Sequence, residues 1–456
     1  MSSIKIEEVE SSGEERRRIS AHSHIKGLGV VNGKVERVAA GFVGQVEARE
    51  AAYYVVNMIK AGKFSGKGVL IVGPPGTGKT ALAIGIAKEL GPDTPFVHIN
   101  AAEIYSLEVK KTEFLMRAIR RAIGVRIREW RKVYEGVVKS IDYRYGRHPY
   151  NPYIQVPVGA TIRLKTTDEE KTLRVPQEIA AQLIELGVNV GDVIMIDEET
   201  GRVIVEGRAK GEGEEEYDIY VKATLEVPKG PVHKDKEITR FFTLNDLDIY
   251  QARQQGLISA MLFGIAVEER EIPNEVRNAV DKAVMEMVDK GNAEIIPGVL
   301  FVDDAHMLDI ETWAFFTKAM EMELSPIMIF ATNRGVTKIR GTDIESPHGI
   351  PLDLLDRLVI IRTRPYTEDE VREIIQIRAR EEGVKLDKSA LDALTKIGVE
   401  NSLRYAIQLM APAQIRAKQQ GRDIVKAEDV DYVKKLFLSV KESVEYVKQH
   451  EELFLK

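Results

Sequence analysis

The stretch that decides the fold is GKGVLIVGPPGTGKTALAIGIAKEL, residues 66–90. Val69–Val72 is a short apolar, β-branched run, and Ala81–Leu90 has helical spacing, so a strand here turns directly into a helix. The turn itself, Gly73-Pro74-Pro75-Gly76-Thr77-Gly78-Lys79-Thr80, matches G-x-x-x-x-G-K-[ST] in the strand–loop–helix context that the pattern requires. Glycines let backbone N–H groups wrap phosphate oxygens, and the following helix presents its positive N-terminus. Lys79 is placed to reach the β- and γ-phosphates of a nucleotide, and Thr80 to offer a hydroxyl to Mg²⁺. A chance glycine turn with this pattern is rare at average residue frequencies. The stretch is a phosphate-binding loop, and the fold class it implies is α/β.

Such a loop calls for an acidic site at the end of a neighbouring parallel strand. Val299–Val302 is that strand, followed by Asp303-Asp304. Asp303 is the candidate carboxylate on the metal side, shared with Thr80. Asp304 points toward the γ-phosphate as candidate base or water-positioning group. His306 could orient the site or simply pack. The next strand, Pro326–Ala331, leads to Asn333, which either holds the attacking water or forms a turn. Arg357 precedes another apolar strand, Leu358–Ile361. It is either a salt-bridge partner or an arginine finger for a neighbouring subunit, worth about 10³-fold or more in rate. The glycines of Gly27-Leu-Gly-Val-Val-Asn-Gly33 are one residue too widely spaced for a dinucleotide fingerprint and read as a loop.

At 456 residues the chain exceeds one ordinary core, so two or three domains are expected. It has no cysteine, which excludes a disulfide framework and any Cys-based zinc site. A charged N-terminal stretch without an apolar core does not read as a signal peptide, and no run approaches the roughly 18–20 apolar residues of a membrane span. A cytoplasmic, soluble protein is expected. The net charge of −6 argues against nucleic-acid binding over the whole surface.

The order of these motifs resembles the AAA+ ATPases. The strings HSHIKGLG (22–29), GFVGQ (41–45), EVKKTEFLMRAIRRAIGVRI (108–127), GVLFVDDAHMLDIE (298–311), ATNRG (331–335) and SPHGIPLDLLDR (346–357) are similar to those of the RuvB-like family, the pontin/reptin group. The resemblance runs from about residue 18 to the C-terminus, is weakest in the middle, and points to a prokaryotic, archaeal-type member. It implies ATP and Mg²⁺ as ligands, Gly73–Thr80 as Walker A, Asp303-Asp304 as Walker B, Asn333 as sensor 1 and Arg357 as a finger acting in trans. It further implies Arg404 as sensor 2 from a C-terminal helical domain, with Leu403 beside it, and His22, His24, Val43 and Tyr366 around the adenine. The family forms homo-hexamers, in some cases stacked as double rings. One departure matters: the family carries Glu where Asp304 stands. One methylene fewer retracts the carboxylate by roughly 1 Å, and a misplacement of that size can slow chemistry by ~10²-fold. Slow hydrolysis is expected.

Thr80 and Asp303 lie 223 residues apart, far more than a compact core needs, so an extra domain is inserted. The expected division is a discontinuous core at 1–125 and 290–365, an insertion at 126–289 and a helical lid at 366–456. Leu107–Val138 reads as one long helix. The runs Tyr153–Val158, Thr161–Leu164, Asp192–Ile196, Arg202–Glu206 and Tyr217–Leu225 read as strands, with a hairpin turn at Asp197–Gly201. The family's insertion is an OB-like barrel, a fold that often stacks single strands on aromatics.

Residues 126–240 hold 19 Lys/Arg and 21 Asp/Glu, so the insertion as a whole is not basic, but 126–153 has 7 against 3 with six aromatics. The stretch Tyr143–Tyr153 interleaves cations and rings, and Arg144, Tyr145, Arg147 and Tyr150 are the candidate nucleic-acid contacts. An ordinary connector whose rings pack on the barrel reads equally well. The acidic run Glu212–Glu216 reads as a solvated loop tip. Three functions remain open: a DNA motor, an assembly scaffold that loads protein partners, and a regulatory ATPase with little turnover.

Overall fold

The computed structural model describes residues 24–105, 110–147, 155–210, 224–263 and 271–449. The predicted sites His22 and Tyr150, the acidic run Glu212–Glu216 and most of Tyr217–Leu225 lie outside them, as does the side chain of Arg147. The chain divides into two compact units. Unit one ends its first segment at Val125, takes in Thr243–Ala283 and resumes at Ile295, while Arg126–Phe242 and Val284–Glu294 form unit two.

The first unit is built on a five-stranded parallel sheet in the order Leu358–Arg362, Gly68–Val72, Ile327–Thr332, Val299–Asp303, Phe96–Asn100. Strands buried on both faces must be apolar throughout, which is why IMIFAT and VLFV read as unbroken hydrophobic runs. Helices Val46–Lys60 and Lys79–Leu90 supply Val55, Leu82 and Ile86 to one core with Val69, Ile71, Phe301 and Ile329. Phe330 points to the other face, because side chains alternate along a strand. There it meets Trp313 and Phe316 at ring separations of 5.1 and 5.3 Å, both from helix Ile310–Met320. That helix starts where it does because the Asp309 side chain accepts from the Thr312 N–H.

The C-terminal part of this unit is all-helical. Helices Glu368–Glu381, Lys388–Glu400 and Leu403–Gln419 start at Thr367, Asp387 and Ser402, each of which accepts a backbone N–H three residues on. Their apolar faces close a separate core around Ile375, Leu394 and Leu409. The lid ends in two further helices, Ala427–Leu436 and Val440–Gln449, separated because Phe437 leaves the first in an extended conformation.

The second unit corrects the sequence reading most. The long helix expected over Leu107–Val138 ends at Arg121, and a strand runs from Ile123 to Arg147. The buried side chains Ile123, Val125 and Ile127, then Val133, Glu135 and Val137, follow a period of two rather than 3.6, broken at Val138, which is also buried and lies beside a register shift. The two strands expected at Tyr153–Val158 and Thr161–Leu164 are one, Gln155–Lys165, among the described residues. Strands Glu170–Pro176 and His233–Thr243 and helix Gln177–Glu185 were not anticipated. The hairpin at Asp197–Gly201 joins antiparallel strands Asp192–Asp197 and Val203–Ala209. In sheet order the path is Thr224–Leu225, Val203–Ala209, Asp192–Asp197, Ile123–Arg147, Gln155–Lys165, Glu170–Pro176, with His233–Thr243 also pairing to the long strand.

Candidate nucleotide site

The phosphate loop sits where the strand Gly68–Val72 meets the helix Lys79–Leu90, at the carboxyl edge of the parallel sheet. Gly76 and Gly78 take φ of +76° and +81°, a region that a Cβ disfavours. A Cβ on Gly78 would also come within 2.5 Å of the Tyr366 hydroxyl, so the loop and the entrance to the helical domain fit only without a side chain there. Thr77 is buried, and its hydroxyl pairs with that of Thr363 at 2.7 Å, tying the loop to the neighbouring strand end.

Beside the loop lies a cavity of about 420 Å³. Its walls come from segments far apart in sequence: His24 and Val43 from the N-terminal strap, Pro75, Gly76, Gly78, Lys79 and Thr80 from the loop, Asp303, Asp304 and Asn333 from the two adjacent strand ends, and Tyr366, Leu403 and Arg404 from the helical domain. Of the other loop residues, Gly73 and Pro74 turn their carbonyls to the Lys79 ammonium at 3.0 and 2.9 Å. Burial lowers the Lys79 pKa from its ordinary value, Asp303 and Asp304 oppose that, and Arg404 adds to it. Lys79 and Arg404 both line the cavity, two cations where an anion fits.

Thr80 Oγ1 donates to Asp303 Oδ2 at 3.4 Å. A hydroxyl beside a carboxylate is a hard, all-oxygen donor pair that suits Mg²⁺, an ion that keeps waters and takes substrate phosphate as further ligands. Among the described residues no cluster of three His, Cys, Asp or Glu side chains offers an all-protein alternative. Asp304 has left-handed backbone, φ +52°, and accepts from Asn100 Nδ2 at 3.2 Å. His306 packs with its ring nitrogen Nδ1 3.4 Å from Thr332 Oγ1, and burial lowers its pKa against the opposing pull of Asp304. His24 is likewise held below its ordinary pKa, by burial first and then by Arg378. Burial pushes the Tyr366 hydroxyl up to about 12, so it stays a neutral donor.

Arg357 is the predicted site residue that the geometry keeps apart. It precedes the strand Leu358–Arg362, whose first residue pairs with Gly68, so it lies at the edge of the sheet opposite the loop, roughly 15 Å away at ~3.3 Å per residue. Its guanidinium is ion-paired to Glu321 and 42% exposed. Arg144 and Tyr145 lie on the long strand of the second unit, not on a loop, and Tyr145 is 55% exposed. A register shift between them re-aims their side chains.

Sequence reasoning missed Asn100, which the sheet register places opposite Asp303. It also missed Phe42, Ile374, Ile377 and Arg378 in the cavity wall. The i, i+3, i+4 spacing of the last three on one helix was a readable signal; nothing local marked Asn100.

A parallel sheet with a phosphate loop at its carboxyl edge, a paired acidic strand end and a helical domain closing the cavity defines a P-loop nucleotide-binding protein of the AAA type. The model of the TIP49 P-loop domain matches residues 18–369, and that of the TIP49 AAA-lid domain matches 374–439. The chain is 46% identical over 459 residues to the RuvB-like protein 1 of Arabidopsis thaliana, covering all of both chains. It is 45% identical to the RuvB-like helicase 1 of Aedes aegypti and to that of Schizosaccharomyces pombe, over 98% of each chain. The chain belongs to the TIP49, or RuvB-like, family. The expectation of a prokaryotic member is not borne out, these relatives coming from a plant, an insect and a yeast.

Proposed function

We propose that this protein is an ATP-hydrolysing AAA+ ring ATPase, resembling the helicases that its relatives are named as, which couples ATP binding and hydrolysis to remodelling of DNA or of protein–nucleic-acid complexes. The observation that carries the reading is one cavity, lined together by the phosphate loop, Asp303 and Asp304, Asn333 and the lid residue Arg404. Thr80 and, directly or through water, Asp303 would hold Mg²⁺, which would supply neutralisation of the charge on the nucleotide's phosphates. Lys79 and Arg404 bind the terminal phosphates, Asn333 and Asp304 orient the attacking water, and Asp304 takes its proton. His24, Val43 and Tyr366 enclose the base; a role for His22 there rests on the family resemblance alone.

Arg357 serves a neighbouring subunit in a homo-hexamer, single or doubled. Its place at the far edge of the sheet supports that role, since it cannot reach the cavity of its own chain. The five-strand path from Val203–Ala209 to Glu170–Pro176, with a helix between its third and fourth strands in chain order, supports an OB-like reading of the insertion. Arg144, Tyr145, Arg147 and Tyr150 are its nucleic-acid contacts.

A second reading rests on Asp304, whose short carboxylate is held back by Asn100: a nucleotide-gated scaffold that turns over slowly and loads protein partners. ATP hydrolysis with and without single-stranded DNA, with Lys79→Ala as the inactive control, separates the two. A several-fold rise with DNA supports the motor, and a slow rate indifferent to DNA supports the scaffold. Hydrolysis undiminished in Lys79→Ala sinks both.

A further inference from the structure

Arg49 is an arginine in an unusual place. It lies on the first turn of helix Val46–Lys60, its side chain is fully buried, and it makes no ion pair among the described residues. A buried cation without a carboxylate needs another source of negative potential, and here it is backbone. Nε donates to the Leu28 carbonyl at 2.8 Å, Nη1 to those of Gly44 at 3.0 Å and Arg37 at 3.3 Å, and Nη2 to that of Gly29 at 3.4 Å. The guanidinium carbon also sits 5.2 Å from the centre of the Phe42 ring.

All of these partners belong to one segment, residues 24–45. That segment has little regular structure of its own: four strands of two residues each, paired as two short ladders. Its path turns through left-handed positions at Gly29, Asn32, Gly33, Ala40, Gly41, Gly44 and Gln45. A chain with so few ladder bonds must find other donors for its carbonyls or stay loosely held. Arg49 provides four of them from a rigid helix, at both ends of the segment. The space is matched to it: a Cβ on Gly29 would come within 2.2 Å of Nη2. The same segment supplies His24, Ile25, Gly41, Phe42 and Val43 to the cavity wall.

We propose that Arg49 is a positioning residue for the nucleoside half of the nucleotide: it holds the 24–45 strap in the shape that binds base and sugar, without touching the ligand or the phosphates. The inference rests on the nucleotide reading of the cavity and adds to it a residue that lies outside the cavity. Its low-dielectric setting agrees, since burial brings the guanidinium pKa down to about 10.

The consequence is a split between the two halves of the ligand. Without its anchor the strap populates the binding-competent shape only part of the time, and the apparent affinity falls by that fraction. For Arg49→Met we expect the KM for ATP to rise ~10-fold with a far smaller change in kcat, the signature of lost uniform binding. The inhibition constant of inorganic tripolyphosphate, which needs only the phosphate loop, should stay within about twofold. Arg49→Lys keeps the charge and part of the donor set, so it should fall between native and Arg49→Met. If Arg49→Met does not fold by thermal unfolding, Arg49→Lys alone decides by the same two constants. Parallel weakening of ATP and tripolyphosphate, or no change in either, overturns the proposal. A native protein that neither hydrolyses ATP nor binds tripolyphosphate overturns instead the nucleotide reading beneath it.

Discussion

The nucleotide site and the second unit were written into the chain in different ways. In the first, a short contiguous string, Gly73–Thr80, dictates its own geometry, because glycines at positive φ and a lysine at the helix start leave the backbone few alternatives. In the second, the long strand Ile123–Arg147 takes its conformation from neighbours on both sides, Gln155–Lys165 and Asp192–Asp197, that arrive later in the chain. Local chemistry specified the one, and non-local pairing the other. On the proposed motor reading, function divides along the same line, with hydrolysis decided in the first unit and any contact with DNA made by the second.

The sharpest test of that division is Lys79→Ala. Loss of the ammonium that faces the phosphates should lower kcat by ~10²–10³-fold, with the second unit unaffected as judged by DNA binding in the absence of nucleotide. Next in size is Asp304→Glu. Restoring the missing methylene should raise hydrolysis by up to ~10²-fold, and a rate no higher than native refutes the account of Asp304 as a slow base. The left-handed backbone there, φ +52°, suits Asp better than Glu, so this variant should also melt slightly lower.

On the other side of the comparison, Tyr145→Ala should weaken single-stranded DNA binding by ~10-fold, within the range of one lost base stack, and leave the unstimulated ATPase rate unchanged. An ATPase defect of the same size would break the division. Smaller still, Thr367→Ala removes the cap of the first lid helix and should cost about 1 kcal/mol in thermal or denaturant unfolding.

The last test is pH. Burial acts to raise the Glu370 carboxyl, but hydrogen bonds from Arg364 outweigh it and hold the pKa below the usual carboxylate range. A depressed folded pKa means that the pair's contribution is complete above the unfolded value of about 4.3 and is lost as pH falls below it. Acid should therefore loosen the lid link before neutral or basic conditions do, and Glu370→Gln should flatten that part of the stability profile.

Much of the site was legible beforehand because each piece carries its own local signature. Asp303-Asp304 ends an apolar run, Asn333 ends the next, and Ser402 caps the helix that presents Arg404. Asn100 was not legible, because its role comes from the register that sets it beside Val299–Asp303, two hundred residues away. Leu107–Val138 misled for a related reason. Its apolar positions satisfy a helical spacing as far as Arg121, and only the burial of Val125, Ile127, Val133 and Val137 reveals the period of two.

By itself the sequence determined the phosphate loop, the existence of the strands that end in Asp303 and before Asn333, and the helical lid, since backbone sterics, capping and long apolar runs act within a few residues. It did not determine their order: Val299–Asp303 is expected as the neighbour of the loop strand, but Ile327–Thr332 lies between the two. Only the tertiary structure decided that Arg357 lies beyond reach of its own cavity, that a buried arginine fastens the strap around it, and that the chain after Arg121 is strand. Each of those depends on which distant segments share the interior, and a local pattern does not encode its partners.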